Sequence, residues 1–321
     1  MTASHPERPA VGGSTATHDE TPTRLLALPA RYDFGRTLGA LRFGPRDPTV
    51  RLGPDDLWRA SRTPQGPGTL HLHRSCDGIT ATGYGPGAPW LVERADAVAG
   101  LRDELTGFVG LARTHPVVAV LADAMPGLRL ARTERVFEET LRAVLAQKVT
   151  STEAMRSYRL LVHRFGEPAP GPVGLVVPPA PETVAATPYW AFHPLGVERR
   201  RADVLRRLAA VAPRLETLCG LPPATAQRRL MSVPGVGPWT AAEVAAVAFG
   251  DPDAVSVGDY HVPHQVAFAL AGEERGDDAR LLELLAPFRG HRARVVRLIG
   301  HGAIREPRHA PRAPLRSFAR F

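Results

Sequence analysis

The chain is poor in several residue types, and each shortage excludes something. Two cysteines, Cys76 and Cys219, occur in 321 residues. That is too few for a disulfide framework, a four-cysteine zinc site or a cysteine-ligated iron–sulfur cluster. No stretch approaches the roughly 20 uninterrupted apolar residues of a membrane span. Residues 1–23 are polar, contain Pro and Gly and lack the apolar centre of a secretion signal, so a cytoplasmic location is expected. Lysine is nearly missing: Lys148 is the only one, and the other 39 of the 40 basic residues are arginine.

What remains is ordinary for a globular protein. Hydrophobic residues make up 44% and charged residues 22%, which excludes wholesale disorder. The length predicts two or three domains of about 100–150 residues, each able to bury a core. Forty basic against 32 acidic residues leave a formal charge of +8, so a polyanion is the natural partner and nucleic acid the first candidate. A genomic bias toward arginine codons would leave the same mark.

Local patterns divide the chain. Residues 1–24 read as a flexible leader. Residues 25–115 read as a mixed lobe in which 57–63, 68–74 and 78–84 are strands of an antiparallel meander, with helical spacing at 34–43 and 93–105. In the second strand Leu70 and Leu72 alternate with His71 and His73, which predicts one apolar and one polar face. From residue 116 helices dominate: 117–125, 133–148, 151–165, 200–212, 224–232, 239–249, 263–271, 278–285 and 292–299 carry apolar residues at three- and four-residue spacing. Residues 166–181, rich in Pro and Gly, predict a loop, and 305–321 a basic tail. The fold class expected is α+β, a small antiparallel-sheet lobe followed by a two-lobed, mostly helical domain over 116–304. His71, His73 and Cys76 show no fourth ligand, so no closed zinc site is predicted. Gly83, Gly85 and Gly87 are not followed by Lys-Ser/Thr and no helix is predicted to open there, so no phosphate loop is expected.

The most informative stretch is Leu230-Met-Ser-Val-Pro-Gly-Val-Gly-Pro-Trp-Thr-Ala-Ala-Glu-Val244. Pro234 ends one helix, Gly235 and Gly237 allow a tight turn with positive φ, Pro238 suits the first turn of the next helix, and Gly250 stops it. The result is a helix-hairpin-helix over 224–250 whose uncovered N–H groups can bind a phosphate oxygen whatever the base sequence. Alone, this pattern also fits a plain turn between packed helices. Twenty residues past Trp239, Val255-Ser-Val-Gly-Asp-Tyr-His-Val-Pro-His264 brings an extended segment to Asp259 and a new helix. An Asp in that place is commonly an N-cap. The two roles are compatible, because a helix amino terminus favours a negative charge.

With these two motifs in order, the sequence resembles the helix-hairpin-helix superfamily of base-excision DNA glycosylases, and within it the DNA 3-methyladenine glycosylase II branch. Further segments resemble that branch: Tyr32-Asp33-Phe34 with Leu38-Gly39, Pro126-Gly-Leu-Arg-Leu130, Phe137-Glu138, Ala143-Val-Leu-Ala-Gln-Lys-Val-Thr150, Gly196 with Arg201-Ala202, and Pro287-Phe288-Arg289. The resemblance implies that Asp259 is the catalytic carboxylate. It implies that Trp239, Tyr260 and Phe288 line a base pocket, where aromatic faces favour a cationic alkylated purine. Glu243 stands where it suggests a further aromatic wall, and Phe288 where it suggests a tryptophan. Gly235, Val236, Gly237, Thr240, Gln147, Lys148 and His261 are the expected DNA contacts. Gln147 and Lys148 would enter the duplex from the loop where an apolar wedge is usual. For Lys148, a contact with phosphate or with the end of its own helix remains open.

Strand-cutting relatives use a lysine amine just after the hairpin; Trp239 stands there. The expectation is therefore a monofunctional, monomeric glycosylase on double-stranded DNA that removes alkylated purines of the 3-methyladenine and 7-methylguanine type. It needs no cofactor beyond a structural Na+ or K+ at the carbonyls of Met231, Val233 and Val236, and associates with the nucleoid when bound to DNA. Two alternatives stand beside it. One is a glycosylase for oxidised, deaminated or mismatched bases, with Glu243 reading a hydrogen-bonding edge. The other is a damage-binding protein without catalysis, which would have no need of a carboxylate facing a polyanion.

Overall fold

The computed structural model describes residues 21–302 and 304; most of the expected leader and the tail at 305–321 lie outside them. Five strands, β1 (Thr23–Leu26), β2 (Val50–Leu52), β3 (Asp56–Thr63), β4 (Gly66–Ser75) and β5 (Gly78–Tyr84), form one antiparallel sheet in the order β1-β5-β4-β3-β2. The meander β3-β4-β5 is as its alternation requires: Leu57, Leu70, Leu72, Ile79 and Ala81 point inward at 0–1% exposure. The leader ends earlier than expected, since Thr23 pairs with Thr82 and Arg24 with Ala81. A four-residue edge strand has too little pattern of its own to be read; its partner β5 defines it.

Beneath the sheet, α1 (Phe34–Gly39), α2 (Ala88–Glu93) and α3 (Ala95–Val98) complete a first core through Phe34, Leu38, Leu91 and Val98. The single helix expected over 93–105 is not formed. The chain breaks after α3 because Gly100 takes φ +70 in close contact with Thr37 and Arg129, a conformation that ends a helix. The expected loop at 166–181 holds a short hairpin, β6 (Glu167–Pro168) and β7 (Val176–Val177), which packs Leu175 and Val177 against Ala60 on the outer face of the sheet.

The remaining helices are α4 (Phe108–Ala112), α5 (Pro116–Ala124), α6 (Val136–Leu145), α7 (Ser151–Phe165), α8 (Pro181–Ala186), α9 (Arg199–Ala210), α10 (Ala212–Glu216), α11 (Pro223–Leu230), α12 (Pro238–Val244), α13 (Val262–Ala271), α14 (Asp278–Leu285) and α15 (Arg292–His301). They build two further cores. The second gathers α6, α7 and α9–α12 around Phe137, Leu141, Tyr158, Leu205 and Leu230. The third gathers α4, α5 and α13–α15 around Phe108, Val118, Val266, Leu281 and Val295. Helix α4 precedes the expected boundary at 116, yet Phe108 and Ala112 are buried with the C-terminal helices, so the chain crosses back across that boundary.

All ten residues of α6 are buried, charges included. Glu138 accepts from Arg59 Nη2 at 2.8 Å, from the Ser61 hydroxyl and from the N–H of Arg62 at 2.7 Å. Arg142 donates to the carbonyl of Leu41 at 2.9 Å and to Thr49 Oγ1 at 3.2 Å. These bonds join α6 to the sheet lobe. Breaking one such buried pair typically costs about 3–5 kcal/mol, because the partner is left charged and dry.

Candidate active site

Helix α11 ends in two tight turns, Val233 N–H to the carbonyl of Leu230 at 3.1 Å and Val236 N–H to that of Val233 at 3.0 Å. Gly235 sits at φ +98, and a Cβ there would lie 2.2 Å from Val204 Cγ2. The turn therefore needs glycine twice over, for its backbone and for its packing on α9. Gly237 is different: its φ of −98° and ψ of −177° are ordinary extended values. The expected positive φ is absent, and what glycine contributes there is an unshielded N–H. Among the described residues, the N–H groups of Gly235 and Gly237 have no acceptor. Pro238 opens α12, which continues as a π-helical turn over Ala245–Phe249 and stops at Gly250, φ +63.

Of the expected DNA contacts in this region, two are buried and a third, Gln147, bonds back to the hairpin. Val236 is 6% exposed and belongs to the second core. Thr240 is buried, and its hydroxyl accepts from Gln147 Nε2 at 2.9 Å. Gln147 also donates to the carbonyl of Gly235 at 3.0 Å. Its side chain thus ties the α6–α7 turn to the hairpin. Lys148, the next residue, is exposed at φ +55, one of two non-glycine residues with positive φ among the described residues. Such a conformation costs of order 1–3 kcal/mol and persists only where neighbours impose it. Here the Gln147 bonds before it and the Thr150–Glu153 capping box after it supply that restraint.

Asp259 lies in the segment that runs from the second core to the third: Ala254 is buried in the second, and Val255 and Val262 pack on the third. Gly258, at φ +92, turns the chain just before it, and Asp278 Oδ1 holds the N–H of Gly258 at 2.9 Å. One oxygen of Asp259 accepts the N–H groups of His261 at 2.7 Å and Val262 at 2.9 Å. The other accepts the indole N–H of Trp239 at 2.8 Å. Asp259 is not the N-cap of α13, a position His261 takes without a side-chain cap; two residues earlier, it holds the N–H groups at the helix start with one oxygen and the hairpin helix with the other. No cation pairs with it among the described residues.

Glu243, one turn after Trp239, accepts from the Ser256 hydroxyl. Although the residue is exposed, the protein packed around its carboxyl and, next, the charge of Asp259 push that carboxyl above the usual range; Ser256 and Arg297 pull the other way. Arg297, largely desolvated, is lowered by burial and raised by Glu243. Its Nε has no partner among the described residues.

No protein-family model matches the chain. Over 147 residues it is 31% identical to DNA-3-methyladenine glycosylase 2 of Escherichia coli, a match covering 44% of this chain and 50% of that one. Over 145 residues it is 30% identical to the probable bifunctional transcriptional activator/DNA repair enzyme AlkA of Mycobacterium tuberculosis, covering 45% of this chain and 29% of the relative. The matched stretches therefore span half or less of these relatives. In three dimensions it superposes on the 3-methyladenine DNA-glycosylase of Archaeoglobus fulgidus with a TM-score of 0.73, over 85% of this chain and 96% of that one, at 18% identity. The fold is that of a helix-hairpin-helix DNA glycosylase.

Within this glycosylase fold the expected aromatic pocket is only partly assembled. Trp239 is half-buried and bonded to Asp259. Tyr260 is 74% exposed, its ring edge-on to His261 at 4.9 Å and near His264. Phe288 departs from expectation: at 1% exposure it is a member of the third core and offers no face to a base. A phenylalanine has no polar edge to keep it at a surface, and the cluster around Phe108 and Val266 takes it in. Sequence reading missed Ser256 and Arg297. Ser256 stood three residues before Asp259 in the quoted motif, whereas Arg297 carried no local signal at all, being one more arginine on a helix.

Proposed function

We propose that the protein is a monofunctional, monomeric DNA glycosylase that extrudes an alkylated purine from duplex DNA, hydrolyses its N-glycosidic bond and leaves an abasic site. The observation that carries this reading is the Asp259 carboxylate, held by three neutral N–H donors and unmatched by any cation among the described residues, beside the indole of Trp239. The C1′–N bond breaks with its electron pair going to the base, and the sugar becomes oxocarbenium-like. A purine alkylated at N3 or N7 is already cationic, so it departs neutral without a general acid. Water adds to C1′ and gives up a proton. Asp259 stabilises the sugar cation. At about 4 Å and an effective dielectric near 20, that attraction is about 4 kcal/mol, on the order of a thousandfold in rate.

The hairpin N–H groups of Gly235 and Gly237 hold a phosphate of the bent strand, and exposed Lys148 and His261 reach DNA nearby. Strand cleavage through an amine is not expected, because Trp239 occupies the position after the hairpin and the only lysine sits in the α6–α7 turn. A structural Na+ or K+ fits the hairpin: the carbonyls of Met231 and Val236 accept no N–H among the described residues, and that of Val233 accepts one, leaving a lone pair on each. Those three carbonyls would hold the ion, which would stiffen the turn; a melting temperature higher in potassium than in choline chloride supports it.

One observation favours a second reading. Glu243, exposed one turn after Trp239 and bonded to Ser256, offers polar atoms that can read a hydrogen-bonding base edge, which suits an oxidised or deaminated lesion. Base release from methylated duplex DNA, followed by chromatography for wild type and Asp259→Asn, decides between them. Release of 3-methyladenine or 7-methylguanine by wild type alone supports the first reading. Release only from a panel of oxidised or deaminated bases supports the second, and DNA binding without any release supports a sensor. Borohydride trapping of a covalent protein–DNA adduct would refute the monofunctional assignment.

A further inference from the structure

The outer face of the sheet carries a cluster that the reaction does not use. Asp56 on β3 stands directly opposite His73 on β4, and Trp58 opposite His71. Because side chains two apart on a strand share a face, all four project outward together. His71 Nε2 lies 2.7 Å and His73 Nδ1 2.9 Å from the same oxygen of Asp56, and the three ligand atoms fall within 4.8 Å of one another. His71 is held flat against the indole of Trp58, ring centroids 3.7 Å apart and planes 8° from parallel. Both histidines hold the Asp56 carboxyl below its usual range, chiefly through the His71 bond, so it is an anion at neutral pH. Sequence spacing showed only the two histidines with Cys76, which is exposed in the β4–β5 turn; the third ligand comes from across the ladder.

We propose that Asp56, His71 and His73 form a binding site for one divalent late transition ion of the zinc class. Two imidazoles and one carboxylate suit that class, and three protein ligands leave positions for water. In the metal-free form each ring donates an N–H to Asp56. On binding, each neutral imidazole shifts that proton to its other nitrogen and presents a lone pair, while the half-exposed Asp56 turns to make room. The ion then bridges β3 and β4. Stacking on Trp58 pre-orients His71, so little side-chain freedom is lost on binding. The half-exposed positions of Asp56 and His73 make the site exchangeable, not a sealed structural centre.

The test uses the full chain, stripped with chelator. Zinc is titrated by calorimetry, and Cu2+ by its quenching of tryptophan fluorescence, on wild type, His73→Ala, His71→Ala and Trp58→Phe. The expected result is one site of micromolar affinity, weakened at least tenfold in either histidine variant, with most of the Cu2+ quenching lost in Trp58→Phe. All variants should keep the wild-type circular dichroism and base release, since none touches the Asp259 region. Failure of wild type to bind zinc below millimolar concentration overturns the proposal. So does binding that is equally tight in His73→Ala and His71→Ala, which would place the ion elsewhere, for instance on histidines of the termini. The outcome is independent of whether the chain proves to be a glycosylase.

Discussion

Two regions of the molecule treat carboxylates in opposite ways. Where α6 meets the sheet, Glu138 is dry and matched by the Arg59 guanidinium at 2.8 Å. In the segment between the second and third cores, Asp259 is half-buried and held only by neutral N–H groups. In the first region charge is spent on charge and the product is rigidity between lobes. In the second the anion is positioned but not neutralised, which is what a group must be if it is to meet a positive charge that arises only during reaction. A salt bridge at Asp259 would make a better clamp and would cancel the charge that the proposed role requires.

Substitutions can sharpen that contrast. The largest effect is expected from Asp259→Asn, which keeps an acceptor for the helix N–H groups but removes the charge. Base release should fall on the order of a thousandfold, with thermal stability nearly unchanged. Glu138→Ala should do the reverse: about 3 kcal/mol of stability lost in denaturant titrations, because buried Arg59 loses its 2.8 Å partner and keeps only Glu139 at 3.6 Å, and little change in turnover per folded molecule. Trp239→Phe keeps an aromatic face but deletes the N–H to Asp259. A hydrogen bond to a charged group is worth about 1.5–3 kcal/mol, so single-turnover rates should drop roughly tenfold to a hundredfold, and an unchanged rate would remove Trp239 as a positioning residue. Gln147→Ala should loosen the tie between hairpin and α6–α7 turn, costing about 1 kcal/mol, read as weaker binding to abasic-site DNA.

The smallest effect is a pH dependence. The folded state holds a proton on Glu243 more tightly than the unfolded chain does. Stability is therefore greatest below the ordinary carboxylate range and declines as pH rises from there through the raised value. Glu243→Gln should remove that slope, so melting temperatures of the two proteins should diverge across that window and run parallel above it. Parallel curves throughout would show that Glu243 titrates normally.

The fold was legible wherever a pattern repeats locally. The strands of the meander follow from alternation, α14 from a single capped stripe over Asp278–Leu285, and the hairpin from Pro and Gly placement. Legibility failed where the deciding contact is distant. Helix α3 stops because Gly100 meets Arg129 and Thr37, β1 exists because β5 lies beside it, and Phe288 is inside because α4 packs over it. At the site, Asp259 and Trp239 could be named from sequence, but not that one would bond the other across twenty positions. Gln147 was read as a DNA contact, and its bonds to Gly235 and Thr240 add a bracing role that the sequence did not show.

Sequence by itself determined the meander strands and the longer helices, the arginine-dominated positive charge, the helix-hairpin-helix and the aspartate that follows it, since each depends on residue types within a few positions of one another. Tertiary structure decided which of those side chains face outward, how charges pair, and that Asp56 completes a cluster with His71 and His73. Those outcomes depend on ladder register and on three separate cores closing against one another, and a contact between remote segments leaves no periodic trace in either of them.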